Sequence, residues 1–389
     1  MTEERVSDLP QVASVVIIGG GVMGTSIAYH LANAGVTDVV LVDKSYLGSG
    51  STCKAAGGVR AQFSDSLNIA FGARSLKVFE NFRELFDQEI DLRQVGYLFL
   101  LSTPQDVELF ERSMVEQHKL GVPSRMISLD EAKERSPLIS TDGLLGAVFS
   151  PTDGHCSPES VVLGYATAAR RKGAVLIPHC GATGIEVRDG RIRAVHTEHG
   201  RIATETVICA AGAWSREVGV WAGVELPVTP LRRQVLVTEP IPGLDPQTPF
   251  TVDFSSTFYF HAEGPGILLG MSDPDETPGF KFEQSDDWLP RLGHAIERRA
   301  PSLSDVGLSS GWAGLYETTP DNNALVGEAR GIERFLYVTG FSGHGFLMGP
   351  AMGEVIRDLY LRVPPFVDIS QLDAQRFSSG VVRPELNIV

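Results

Sequence analysis

Cysteine is scarce in this 389-residue chain: there are 4, at Cys53, Cys156, Cys180 and Cys209, with no CxxC among them. No histidine cluster accompanies them, so the sequence supports neither a disulfide framework nor a metal site, and it reads as a reduced, cytoplasmic protein. Long apolar runs are missing too. Glycine or charge breaks each one well short of the roughly 20 residues a bilayer span needs, and the polar start "MTEERVSDLP" has no secretory core. Positive charge is outweighed: the formal net charge of -15 argues against nucleic acid or an anionic membrane surface as partner. Repeats, low-complexity linkers and blocks of like charge are absent, which leaves the acidity to serve solubility. What remains is ordinary globular composition, 43% hydrophobic and 21% charged, in a length that suits two or three domains.

Glycine is where the chain becomes specific. "ASVVII" is a continuous apolar run of the buried parallel kind, "GGGVMG" follows it, and "TSIAYHLANAG" continues at helical spacing before "VVLVD". This is strand, glycine turn, helix, strand. Gly19, Gly21 and Gly24 then form GxGxxG, and Asp43 closes the second strand where a carboxylate can take ribose hydroxyls. Gly19 permits the tight turn, Gly21 lets a pyrophosphate touch backbone, and Gly24 lets helix and strand close up. The helix N-terminus adds partial positive charge for the phosphates.

Further along, apolar spacing predicts one long helix over 66–89, others over 104–120 and 157–172, and a hairpin turning at Asp189-Gly190. From Leu226 the pattern alternates like antiparallel strands, with a helix over 285–299 and a terminal helix over 349–361. The fold class is α/β, α+β overall: a Rossmann-like domain interleaved with a mostly antiparallel substrate domain. The expected division gives 1–90, 150–225 and 319–389 to the dinucleotide domain, and 91–149 and 226–318 to the substrate domain.

After Asp43 the chain does not repeat strand-helix units, as a nicotinamide domain would; it runs into a loop dense in Gly, Ser and Ala. A cofactor gripped there, near Ala211 and again near 343–347 is long, which favours FAD. Val22, Met23 and Lys44 join the turn as expected contacts, and the loop offers Gly50, Ser51, Thr52, Ala55, Gly57 and Gly58. Ala182, Ala211, Gly212 and Gly314 are expected further along, and "GHGFL" supplies Gly343, His344, Gly345, Phe346 and Leu347.

The stretches "IIGGGVMGTSIAYHLA", "GSGSTCKAAGGVRAQF", "PTDGHCSP", "VICAAGAWS", "WAGLYETTPDNNALVG" and "GFSGHGFLMGPAMGE" resemble the FAD-dependent amine and amino-acid oxidoreductases related to D-amino-acid oxidase and glycine oxidase. Within that family the likeness is greatest to sarcosine oxidase beta subunits and the FAD-containing beta subunits of bacterial proline dehydrogenases. The resemblance implies that "GFSGHGF" brings backbone and a helix N-terminus against the flavin's pyrimidine ring, where reduction leaves negative charge. It implies Arg60 as the fork for a substrate carboxylate, Tyr259 facing the substrate, and His344 near the ring as a candidate general base. Arg232 and Arg233 are weaker candidates for the carboxylate, because one residue of a strand pair faces away from any pocket.

Departures from the family pattern matter as much. The cysteine that tethers flavin in monomeric sarcosine oxidases falls near Gly314. The tethering histidine of dimethylglycine and sarcosine dehydrogenases falls on Lys54, so FAD is expected to be non-covalent. Two lysines of monomeric sarcosine oxidases, one of which activates oxygen, fall on Leu268 and Leu347. The expected activity is oxidation of a secondary amine or amino acid to an imine: sarcosine, proline, another N-alkyl amino acid or an opine. Electrons pass to oxygen or to a partner flavin or iron–sulfur subunit in a hetero-oligomer; a non-catalytic flavin-binding assembly protein is the remaining alternative.

Overall fold

In the computed structural model, which describes residues 9–379 and 382–388, the strands sort into two large sheets that exchange the chain between them. The first is six-stranded and runs Leu325–Glu328, Phe335–Thr339, Val207–Cys209, β1 (Val15–Ile18), β2 (Val39–Val42) and Val175–Ile177. All neighbours are parallel except the first pair. Every residue of β1 is buried, as the uninterrupted apolar run requires of a strand covered on both faces. Its alternate residues serve two cores. Val15 and Ile17 pack with helix α1 (Val22–Asn33) and the helices Pro158–Arg171 and Gly345–Leu361. Val16 and Ile18 pack against a three-stranded antiparallel sheet (Ala182–Arg188, Arg191–Thr197, Gly200–Ala203), whose first turn holds Asp189 and Gly190 at φ 51° and 71° as expected.

The turn after β1 uses its glycines for different reasons. Gly19 sits at φ 112°, and a Cβ there would meet the Ala210 carbonyl oxygen at 2.3 Å. At Gly24 a Cβ would come 1.8 Å from the Gly19 carbonyl oxygen, so α1 passes directly over the turn. Gly21 is not forced by the protein: a Cβ would find only Thr52 Oγ1, at 3.0 Å. Helix Gly345–Leu361 approaches α1 through small residues in the same way, Gly353 facing Ser26 and Gly349 facing Val22.

The second sheet is eight-stranded: Leu308–Thr318, Thr229–Thr238, Gly266–Gly270, Phe258–Glu263, Phe250–Asp253, Tyr97–Leu101, Gly146–Ser150 and Arg125–Ile127. It is antiparallel except where Phe250–Asp253 meets Tyr97–Leu101. Its strands come from chain segments that alternate with those of the first sheet, the interleaving expected.

Three helix expectations need correction. The 66–89 helix is two, Ser66–Glu80 and Phe82–Phe86, because Asn81 leaves helical geometry at φ -108°, ψ 15° and its side chain takes the Lys77 carbonyl at 2.7 Å. The aromatic stripe nevertheless stays in register: Phe79, Phe82 and Phe86 are all buried beside the equally buried Tyr165. The 285–299 helix begins only at Leu289, with Pro290 in its first turn. The terminal helix begins at Gly345, ahead of 349, and carries Pro350 inside it. The "GHGF" stretch is thus its cap and first turn.

Candidate functional site

Between the two sheets lies a cavity of about 700 Å³. One end is built by the β1–α1 turn, with Gly19, Gly21, Val22 and Met23 at its wall and Asp43 and Lys44 beyond β2. Asp43 accepts from Gly20 N at 2.6 Å and Ser45 N at 2.8 Å, and burial pushes its carboxyl above the usual range. The Lys44 ammonium lies 3.6 Å over the Trp214 ring, which also lines the wall. Along the middle run Gly50, Ser51, Thr52, Ala55, Gly57 and Gly58 on one side, and Ala182, Ala211, Gly212 and Gly314 on the other. Thr52 Oγ1 accepts from Val22 N at 3.1 Å and ties the loop to the start of α1. Of the expected cofactor contacts only Gly24 stays off the wall, behind Gly19.

The far end is a chamber of aromatic and basic groups. Tyr97 and Phe250 stack at 4.2 Å and 8°, Phe250 stacks on Tyr259 at 5.6 Å, and Tyr316 completes the wall. Gly343, His344, Gly345, Phe346 and Leu347 close it at the N-terminus of the last helix. That terminus has no side-chain cap, so its first N–H groups lie at the cavity wall without a side-chain acceptor, with the helix dipole behind them. Gly343 is required there at φ 104°, since a Cβ would lie 2.3 Å from the Tyr316 ring. His344 is 3% exposed, and neither ring nitrogen has a partner among the described residues. Burial pushes its imidazole down to about 3; Glu385 opposes the shift and Arg60 adds to it. It is therefore neutral near pH 7, with one nitrogen free to accept.

The arginines divide unexpectedly. Arg60 lines the chamber but is 4% exposed, and its fork is occupied: it donates to the Gln62 carbonyl, and to the Asn387 carbonyl at 2.6 Å, while lying 4.0 Å over Phe63. Arg232 points away and pairs with Glu276 at 2.6 Å. Arg233 faces the chamber, 5.2 Å from the Tyr316 ring centre, and its Nε is buried without a partner among the described residues. Alternation along Thr229–Thr238 carried that signal, because Val235, two residues on, lines the same wall. Glu317 was not foreseen. Its half-buried carboxylate lines the cavity, accepts from the Thr339 hydroxyl at 2.8 Å and has its carboxyl raised by burial.

Lys54 and Gly314, the two positions compared above with flavin tethers, are neighbours: a Cβ on Gly314 would come 2.6 Å from Lys54 Cβ. Leu347 lines the cavity, whereas Leu268 lines a separate void of about 260 Å³. Near that void His155, His261 and Glu263 bring ligand atoms within 4.8 Å of one another. Both His261 nitrogens already face carbonyl oxygens, Ala262 at 2.9 Å and Ala56 at 3.0 Å, which leaves too few free donors to hold a cation.

A glycine turn opening a helix under a parallel sheet, continued by a long cavity into a chamber on an antiparallel sheet, defines a dinucleotide-flavin oxidoreductase. The chain belongs to the FAD dependent oxidoreductase family, whose model matches residues 14–359. It is 31% identical over 385 residues to the mitochondrial dimethylglycine dehydrogenase of Rattus norvegicus, covering 94% of this chain and 45% of that one. To the mitochondrial sarcosine dehydrogenase of Mus musculus it is 32% identical over 390 residues, covering 95% and 42%. The chain thus spans less than half the length of these curated relatives. It spans the whole of the L-proline dehydrogenase from P. horikoshii, with a TM-score of 0.91 at 31% identity over 96% of this chain. FAD is the cofactor. The site fits it: the glycine-lined wall is open where a pyrophosphate would lie, and buried polar atoms of His344 and Arg233 await partners in the chamber. Among the described residues no helix is long and apolar enough to cross a membrane.

Proposed function

We propose that this chain oxidises a secondary amine or amino acid, breaking the C–H bond beside nitrogen to leave an imine that water then hydrolyses. The observation that carries this reading is the chamber itself, an aromatic box with a guanidinium nitrogen unspent. The compounds for which the three relatives are named (dimethylglycine, sarcosine, L-proline) share a carboxylate and a nitrogen bearing a second carbon, and that is the class proposed. Bound FAD supplies the hydride acceptor. The chain's own residues bind, orient and desolvate. Tyr97, Phe250, Tyr259 and Tyr316 pack against the alkylated nitrogen and exclude water. Arg233 takes the carboxylate, while the neutral His344 offers a ring nitrogen as acceptor to a substrate N–H. The first turn of Gly345–Leu361 holds N–H groups toward the place where negative charge develops. The test is a spectrum of the purified yellow protein during a screen of N-alkyl amino acids: bleaching supports the reading, and no response from any of them defeats it.

With its fork committed to two carbonyls, Arg60 contributes field more than grip. Arg233→Lys should weaken binding of a carboxylate-bearing substrate by about 1.5–3 kcal/mol, roughly tenfold to a hundredfold, with FAD content unchanged. Arg60→Lys should cost less. If the Arg60 variant shows the larger loss in titrations, the anchor is Arg60 after all.

No cysteine or histidine stands at Gly314 or Lys54, and burial pushes the neighbouring Cys53 thiol up to about 12, so it is a poor nucleophile. FAD is accordingly non-covalent in our reading, and acid precipitation should release all the colour into the supernatant. Colour in the pellet would show a tether. The electron acceptor is oxygen or a partner subunit. The apolar Leu347 at the cavity wall favours a partner, and a reduced protein that air reoxidises only slowly would support one. Four free thiols fit a reducing cytoplasm.

A further inference from the structure

The segment 382–388 has no helix or strand, yet it is tied down more tightly than its polar sequence suggests. Glu385 is 1% exposed. Its carboxylate accepts from Ser64 N at 2.8 Å, Ser64 Oγ at 2.6 Å, Asp65 N at 3.0 Å, Asn68 Nδ2 at 2.9 Å and Asn387 N at 2.9 Å. These donors gather at the N-terminus of helix Ser66–Glu80, where the dipole also favours an anion. Burial works against its ionisation, but the bonds from Asn68 and Ser64 prevail and hold its carboxyl below the usual range. Arg383 pairs with Asp65 at 2.7 Å, and Glu385 N donates to the Asp321 carbonyl at 3.1 Å. Beyond this anchor Asn387 is fully buried with its carbonyl on Arg60, and Ile388 enters the wall of the cavity.

From these contacts we infer that residues 382–388 form a strap that sets how large a substrate the chamber accepts, with Glu385 as its anchor and Ile388 as the side chain that meets the substrate. The inference rests on the amine-acid reading above. Ile388 is the apolar group that the strap carries into a chamber otherwise walled by the eight-stranded sheet, Arg60 and the start of the last helix. A side chain here changes volume without disturbing either sheet, because no ladder hydrogen bond runs through the strap. Glu385 is a positioning residue: glutamine there would turn an NH2 toward N–H and O–H donors that now share two acceptor oxygens, and Ile388 would no longer be held against the chamber.

The test uses the FAD-loaded full chain and two non-reacting probes, acetate and benzoate, titrated by the change in flavin absorbance. Ile388→Gly should favour benzoate over acetate by roughly tenfold relative to the parent, and Ile388→Trp should disfavour it by a similar factor. Glu385→Gln should shift the ratio in the same direction as Ile388→Gly, and should make the strap a protease-sensitive site that the parent lacks. An unchanged ratio in all three variants, at parental FAD content, overturns the strap alone. Loss of FAD from Ile388→Gly also overturns it, by assigning the segment to the cofactor. A parent that binds neither acid defeats the carboxylate reading, and the strap falls with it.

Discussion

Replacing Gly21 with valine should give a folded protein that purifies colourless. The distinction among the three glycines of the turn makes this test sharp. At Gly19 or Gly24 a side chain would strike backbone oxygen at 2.3 or 1.8 Å, so those variants should misfold and report nothing about the cofactor. At Gly21 the backbone is extended, and the one close atom is the Thr52 hydroxyl at 3.0 Å, which can rotate away. The branched side chain instead occupies the wall where a pyrophosphate has to touch backbone N–H groups. Bound FAD should drop to under about a tenth of parental stoichiometry, while far-ultraviolet circular dichroism keeps its parental form. Full flavin content would remove the phosphate assignment.

Arg299→Met should cost about 3–5 kcal/mol of stability, the cost of stranding a buried charge. Arg299 is 0% exposed beneath the eight-stranded sheet. It donates to the Ser140 carbonyl at 2.9 Å and the Asp142 carbonyl at 3.3 Å, and its Nε lies 3.5 Å from an Asp253 carboxylate that is 2% exposed. Methionine preserves the aliphatic length and removes the cation, which leaves the buried Asp253 carboxylate with the Ser256 hydroxyl as its side-chain partner among the described residues. The denaturant midpoint of unfolding should fall markedly, and adding Asp253→Asn should restore part of it, because the stranded charge is then gone. A single variant as stable as the parent would show that the pair contributes nothing net.

The dinucleotide half was legible because its information is local. Strand, turn, helix and acidic residue lie between Val15 and Asp43, and each has its own signal: buried β-branched residues, glycines at fixed offsets, helical periodicity. The hairpin at Asp189-Gly190 was readable for the same reason. The chamber was less so. Which of Arg232 and Arg233 faces inward depends on strand register, and Glu276 had to be found 44 residues away to explain where Arg232 goes. Arg60 lines the cavity, but the commitment of its fork could not be read locally, because Asn387 lies 327 residues further on. Glu385 gave no local hint at all: its five donors come from a helix start and its own neighbour. The break at Asn81 was masked by aromatic spacing that carries straight across it.

Strand order has a consequence for how the protein is made. β1 leaves the ribosome well before its neighbour Val207–Cys209, which emerges nearly two hundred residues later, and Phe335–Thr339 follows β1 by more than three hundred. At about 5–20 residues per second the wait for Val207–Cys209 is roughly 10–40 s, through which "VVII" has only β2 to pair with. The nascent chain therefore carries an apolar strand with an open edge until Val207–Cys209 emerges. A chaperone that shields short β-branched segments would act before the cofactor could be held at both ends, since "GHGF" is translated more than three hundred residues after β1.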